Sequence, residues 1–194
     1  MARNDTTSAI IDSILKTLVS GVALSTLFVA PNAVQGLGKP LSYYLKKLDK
    51  RGRERELRRV LAYMKSRDLI KLTSDDYEHG VVVTKSGKKR AEQANFESLE
   101  IPRPSHWDKT WRLVLFDIPE GHRSGRVALI SKLKMLGFVQ LQQSAWIHPY
   151  PCRQEIEIVT QTYNVSRYVS YIETSHIDNH KQLIRRFAHK YKID

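Results

Sequence analysis

The sequence predicts an α+β chain in two parts, helices closed by a short β-hairpin in the first and a βαββαβ order in the second. Three observations predict it. Apolar residues recur at helical spacing as far as about Arg67 and then form two short β-type runs around a polar turn. A proline-stiffened segment, Glu100-Ile101-Pro102-Arg103-Pro104, interrupts the chain, because residues before proline are pushed away from helix. Beyond it, short β-rich runs and amphipathic runs follow one another in the order of one small sheet with helices. The expected division is an N-terminal part over residues 1–100, a joint over 101–110 and a second part over 111–194.

Length and composition fit one large domain or two small ones. The 194 residues are 41% hydrophobic, enough to bury cores without disulfides. Cys152 is the only cysteine, which excludes an internal disulfide and a cysteine-rich metal site and makes a reducing cytoplasm the expected location. Thirty-two Lys and Arg against twenty Asp and Glu leave a net charge of +12 and a pI near 9.8. Such a balance favours polyanions, since each neutralised phosphate releases counterions. Double-stranded DNA is the first expected partner and an anionic membrane the second.

Ser8 to Ala30 is the most apolar stretch and invites a membrane test. Its uninterrupted run, Thr17 to Ala30, is fourteen residues, short of the ~20 that cross a bilayer. Extending it backwards would bury Asp12 and Lys16. Ile11, Ile14, Leu15, Leu18, Val22 and Leu24 or Ser25 approximate a helical stripe ending at Pro31, with Thr6 or Thr7 as the cap. A core or partner-binding helix is expected. A single span is the alternative, because Val19 to Val29 is apolar nearly all round.

From Pro40 the pattern changes. Leu41, Tyr44, Leu45 and Leu48 make a short amphipathic helix, followed by Lys50-Arg51-Gly52-Arg53, where Gly52 can turn the chain. A second helix is expected from Glu54 to Arg67. Its Leu57, Val60, Leu61 and Met64 gather on one face and leave Arg55, Arg58, Arg59, Tyr63 and Lys65 on or near the other. Leu69 to Leu72, a polar Ser74 to Gly80 turn and Val81 to Thr84 then read as a hairpin. Helix, helix and short hairpin is the order of a winged helix-turn-helix, whose helix before the hairpin enters the major groove. Arg51, Arg53, Arg55, Arg58 and Arg59 are therefore candidate DNA contacts, and Lys85, Lys88, Lys89 and Arg90 after the hairpin are four more. The hairpin tip is acidic at Asp75, Asp76 and Glu78, which suits a protein partner better than phosphate.

In the second part, Trp111 to Phe116 is a near-continuous apolar strand ending at Asp117, before an Ile118-Pro119-Glu120-Gly121 turn. Arg123 to Leu136 reads as a helix with Val127, Ile130, Leu133 and Leu136 inward, closed by Gly137. Phe138 to Gln143 and Ala145 to Tyr150 are strands, Arg153 to Tyr163 a helix and Tyr168 to Glu173 the fourth strand. This βαββαβ order is ferredoxin-like. A last amphipathic helix, His180 to Lys192, carries Leu183, Ile184 and Phe187 beside Arg185, Arg186, Lys190 and Lys192, and is expected to dock.

Leu115-Phe116-Asp117-Ile118-Pro119-Glu120, then Arg123 and Arg126, Leu136-Gly137-Phe138 and Gln142-Gln143-Ser144-Ala145-Trp146-Ile147 resemble the small endonuclease subunit of the CRISPR adaptation complex. The likeness covers about Trp107 to Glu173. The same module forms the central domain of PaaX-type transcriptional repressors, which carry a winged helix in front of it, and the two-part order here resembles that family more closely. That resemblance implies a DNA-binding regulator acting as a homodimer. The alternative it leaves is a Mg²⁺-dependent endonuclease or a structural subunit of the CRISPR adaptation type.

The nuclease resemblance implies that Asp117 binds Mg²⁺ jointly with its copy from a second subunit, with Arg123 and Arg126 on phosphate. A hard cation taking one or two carboxylates plus waters suits that chemistry. One carboxylate per chain is too few, so hydrolysis would need a dimer that pairs two copies of Asp117. Without nuclease activity no cofactor is expected, and Asp117 would accept backbone hydrogen bonds or cap a helix. His122 and His148 could serve as ligands or acid-base groups, but without a second cluster of carboxylates or histidines they read as surface or core histidines. Trp107, Trp111 and Trp146 read as core and interface anchors.

Overall fold

The computed structural model describes residues 2–21, 50–72, 80–189, 191 and 193. The helix expected over Leu41 to Leu48, the apolar run from Val22 to Ala30, the acidic hairpin tip and the terminal Lys190 and Lys192 lie outside the described residues. The chain divides into two compact units, Met1–Ser98 and Leu99–Asp194.

The first unit holds helix α1 (Ala2–Val19), helix α2 (Lys50–Ser66), strands β1 (Ile70–Leu72) and β2 (Val81–Val83), and helix α3 (Lys85–Glu97). Helix α1 departs from the expected Ser8 to Ala30 at both ends. It begins at Ala2, so Thr6 and Thr7 are helical rather than capping, and it ends at Val19. Gly21 adopts φ 84° and its N–H bonds Leu18 O at 3.2 Å, a left-handed stop that an L side chain resists. Among the described residues no helix is long and apolar enough to cross a membrane.

Ile10, Ile11, Ile14 and Leu15 of α1 meet Leu57, Val60, Leu61 and Met64 of α2, with Leu69, Ile70 and Ala91 completing the core. Burying each large apolar side chain contributes about 1.5–3 kcal/mol. The expected break at Gly52 is absent, because α2 runs through it from Lys50. A helical glycine costs about 1 kcal/mol relative to alanine, and its Lys, Arg and Glu neighbours are good helix formers.

The two short strands pair antiparallel, Ile70 with Val83 and Leu72 with Val81. Thr84 then caps α3. Its hydroxyl accepts from Gly87 N–H at 3.0 Å and donates to Asp68 O, while its own N–H bonds Leu69 O at 3.1 Å. The Thr-Lys-Ser-Gly run is thus the joint between hairpin and helix.

The second unit contains β3 (Trp111–Phe116), helix α4 (Arg123–Leu136), β4 (Val139–Gln142), β5 (Ala145–His148), helix α5 (Arg153–Thr162), β6 (Val169–Thr174) and helix α6 (His180–Ala188). The strands lie in the order β4-β5-β3-β6, every pair antiparallel, which is the ferredoxin-like arrangement. Strand β3 is central, registered Leu113 to Ile147 on one side and Leu113 to Ile172 on the other.

Helix α4 has the expected limits and ends on Gly137 at φ 91°, but its inward face differs. Val127 is 58% exposed, while Leu129, Lys132, Leu133 and Leu136 are buried. Each three-residue step falls about 60° short of a full turn, so Val127 and Leu136 stand about half a turn apart and cannot share one face.

The expected joint over 101–110 is anchored in this unit. Ile101 and Trp107 are buried, and Trp107 Nε1 donates to Pro149 O at 2.9 Å. Arg112, buried within β3, donates to Asp108 Oδ1 at 2.7 Å and to the carbonyls of Thr110 and Pro149, both at 2.8 Å. Helix α6 docks as expected through buried Leu183 and Phe187, with the Phe187 ring 5.7 Å from that of Trp111.

Candidate nucleic-acid interface

Packing four apolar side chains of α2 inward forces its charged positions outward. Arg51, Arg55 and Arg58 are exposed and lie within about 60° of one another around the helix, outside the buried stripe. Arg59 is also exposed but sits further round, its Nε bonded to Glu56 Oε2 at 3.0 Å. Arg53 lies in α2, and its side chain is outside the described residues. Three cations on one helix face, with a fourth held beside them, can meet the phosphates and base edges of a groove.

The four cations after the hairpin separate into two kinds. Lys85, Lys88 and Lys89 are exposed at i, i+3 and i+4, opposite buried Gly87, Ala91 and Ala94. Arg90 is half-buried and turned back into the unit, its Nε 2.7 Å from Asp12 Oδ1 and its Nη2 3.0 Å from Ser8 Oγ. The pairing joins positions 78 apart, and no local pattern in the sequence announces it. Lys85, Lys88 and Lys89 remain a phosphate-facing set, whereas Arg90 holds α3 against α1.

In the second unit Asp117 follows directly on β3. Its carboxylate is exposed and its N–H donates to Tyr168 O at 3.0 Å, which fixes the backbone there. A shallow cavity of about 450 Å³ adjoins it, with Gln142, Ser144, Arg167 and Ser170 on its rim. Arg123 and Arg126 both turn to Glu120, with Arg126 Nη2 2.9 Å and Arg123 Nη1 3.4 Å from its carboxylate. Glu120 thus draws both guanidiniums together at the start of α4.

Among the described residues no group of three His, Cys, Asp or Glu is placed to hold a metal ion. Asp117 offers Mg²⁺ one carboxylate, so the described residues of one chain do not bring a second to it. The histidines expected at surface or core divide between both. His122 is exposed and lies 5.2 Å from the Tyr168 ring. His148 is wholly buried among Phe138, Tyr150, Phe187 and Tyr191, with Nε2 3.3 Å from the Tyr191 hydroxyl. Trp107, Trp111 and Trp146 are buried, as core anchors should be. Burial pushes the Cys152 thiol up to about 12, which removes the thiolate a nucleophile needs.

Residues 104–184 match the family described as PaaX protein central Cas2-like domain. The matched segment carries all four strands of the ferredoxin-like sheet, so it is the second unit that is similar to this family. No curated protein matches the chain.

Proposed function

We propose that this chain, whose second unit is similar to the PaaX central Cas2-like domain, is a sequence-specific double-stranded DNA-binding transcriptional regulator that works as a homodimer. The observation that carries the reading is the outward face of α2, where Arg51, Arg55 and Arg58 stand exposed beyond the buried Leu57, Val60, Leu61 and Met64. A hairpin and a capped helix bearing Lys85, Lys88 and Lys89 follow it directly. In a winged helix-turn-helix reading, α2 is the recognition helix and its arginines suit guanine edges, while the lysines of α3 suit backbone phosphate. The second unit is the natural dimerising module. A two-fold dimer would present two α2 helices to half-sites about one helical turn, or a multiple of it, apart.

Selection from a random duplex library, followed by anisotropy titration at several salt concentrations, tests the reading. A palindromic preference is expected, with a salt slope of about −0.9 per phosphate neutralised. Arg58→Ala should relax preference at one base position by about 1–3 kcal/mol. Lys88→Ala should weaken all sequences alike and reduce the salt slope by about 1. A flat selection profile, together with unchanged affinity in the Arg58→Ala/Arg59→Ala double variant, would sink the proposal.

A further inference from the structure

A cavity of about 560 Å³ opens in the first unit among α1, α2, the turn after α2 and α3. Three arginines line it, Arg59, Arg67 and Arg90, and among the described residues none that lines it is acidic. Two of the three are fixed by carboxylates outside the lining. Glu56 holds Arg59 at 3.0 Å, and Asp12 holds Nε of Arg90 at 2.7 Å. Arg67 is exposed and lies over the Tyr63 ring, 5.4 Å from its centroid. Thr7 and Ser8 of α1 add hydroxyls to the wall, while Ile11 and Val60 make it apolar on one side.

The donor set selects a chemistry. A planar carboxylate is satisfied by the fork of one arginine, whereas a phosphate monoester presents three terminal oxygens to donors arriving from different elements. A backbone phosphodiester has only two terminal oxygens. The volume lies within the roughly 300–1,000 Å³ of small-ligand sites and exceeds the needs of a bare anion. The apolar wall and the Tyr63 ring suit an organic body beside the anionic head. We propose that this cavity binds a small phosphate monoester and that its occupancy is coupled to DNA binding by α2.

The coupling, though not the site, rests on the DNA-binding reading above. Arg59 and Tyr63 belong to α2 and line the cavity, so a ligand that draws on them also acts on the helix that carries Arg51, Arg55 and Arg58. Linkage is reciprocal: whatever factor the ligand imposes on DNA affinity, DNA imposes on ligand affinity.

Titration calorimetry of the full chain with phenyl phosphate and with inorganic phosphate tests the site. Saturable binding of one phenyl phosphate per chain is expected, tighter than inorganic phosphate, and weakened about tenfold or more in Arg67→Gln. Arg67 is exposed, so the variant should fold, as circular dichroism will verify. Absence of saturable phenyl phosphate binding, or equal affinity in Arg67→Gln, overturns the site. Anisotropy of the selected duplex with and without phenyl phosphate tests the coupling. Unchanged duplex affinity at saturating ligand overturns the coupling and leaves the site standing. If no duplex binds at all, the DNA-binding reading and the coupling fall together while calorimetry still decides the site. If Arg67→Gln lowers duplex affinity and salt slope but phenyl phosphate does not bind, the cavity seats a backbone phosphate and the proposal is overturned.

Discussion

Replacing Gly87 by alanine should destabilise the first unit although alanine is the better helix former. A Cβ on Gly87 would lie 2.1 Å from the carbonyl oxygen of Leu69 and 2.7 Å from Cγ1 of Val83. An ordinary C···O contact is about 3.3 Å, so helix and hairpin must part by about an ångström. The nearest atom is backbone and cannot rotate away. Overpacking of this kind costs about 1–3 kcal/mol. Displacing Gly87 also strains the Thr84 cap, whose bond to Gly87 N–H is 3.0 Å long and is worth about 1 kcal/mol. The helix propensity of alanine offsets about 1 kcal/mol. The net expectation is a loss of about 2 kcal/mol, or roughly 8–16 °C in Tm for a unit of this size. All three tryptophans, Trp107, Trp111 and Trp146, lie in the second unit. Far-UV circular dichroism should therefore show an early transition that tryptophan fluorescence does not follow. A Gly87→Ala protein as stable as wild type, or more so, would refute the packing argument.

The remaining expectations are narrower. Leu133→Ala should cost about 2–5 kcal/mol in urea unfolding, while Val127→Ala should stay within about 0.5 kcal/mol; equal effects would mean that the inward face of α4 is assigned wrongly. The Arg112 guanidinium beside Asp108 holds its carboxyl below the usual carboxylate range. The pair therefore stabilises the fold above the unfolded carboxylate pKa of about 3.9 and loses its effect as pH falls through the lower folded value. Because Asp108 is about half exposed, water screens the pair, and the effect should be modest. Urea midpoints of Asp108→Asn should lie below wild type at neutral pH and converge on it in acid, and a pH-independent gap would contradict this. Cys152, buried with its thiol held up near 12, should resist a thiol reagent in native buffer and react once urea unfolds the chain; rapid native labelling would show the site to be open. Duplex DNA incubated with Mg²⁺ should yield no products above an Asp117→Ala background, and products that vanish in that variant would make the second unit a nuclease.

Much of the chain's local structure was legible because it depends on near neighbours. The spacing of Leu57, Val60, Leu61 and Met64 forces Arg51, Arg55 and Arg58 outward wherever α2 packs. Thr84-Lys85-Ser86-Gly87 encodes a helix start, Gly137 encodes the end of α4, and the strand closing at Asp117 leads into a proline turn. Pairings between distant segments were not legible. In the sequence Asp12 is an obstacle to a membrane span, and in the fold it secures Arg90. Trp107, within the joint, likewise reaches Pro149, 42 positions away.

The amino-acid sequence by itself determined two parts, the βαββαβ order, a basic helix face and one carboxylate at a strand end, since periodicity and turn chemistry act over a few residues. Only the tertiary structure decided that β3 lies at the centre of its sheet, that Val127 faces out while Lys132 is buried, and that Arg59, Arg67 and Arg90 meet around one cavity. A local pattern tells which side chains share a face. Which face is covered, and by what, depends on segments tens of residues away, and only folding brings those together.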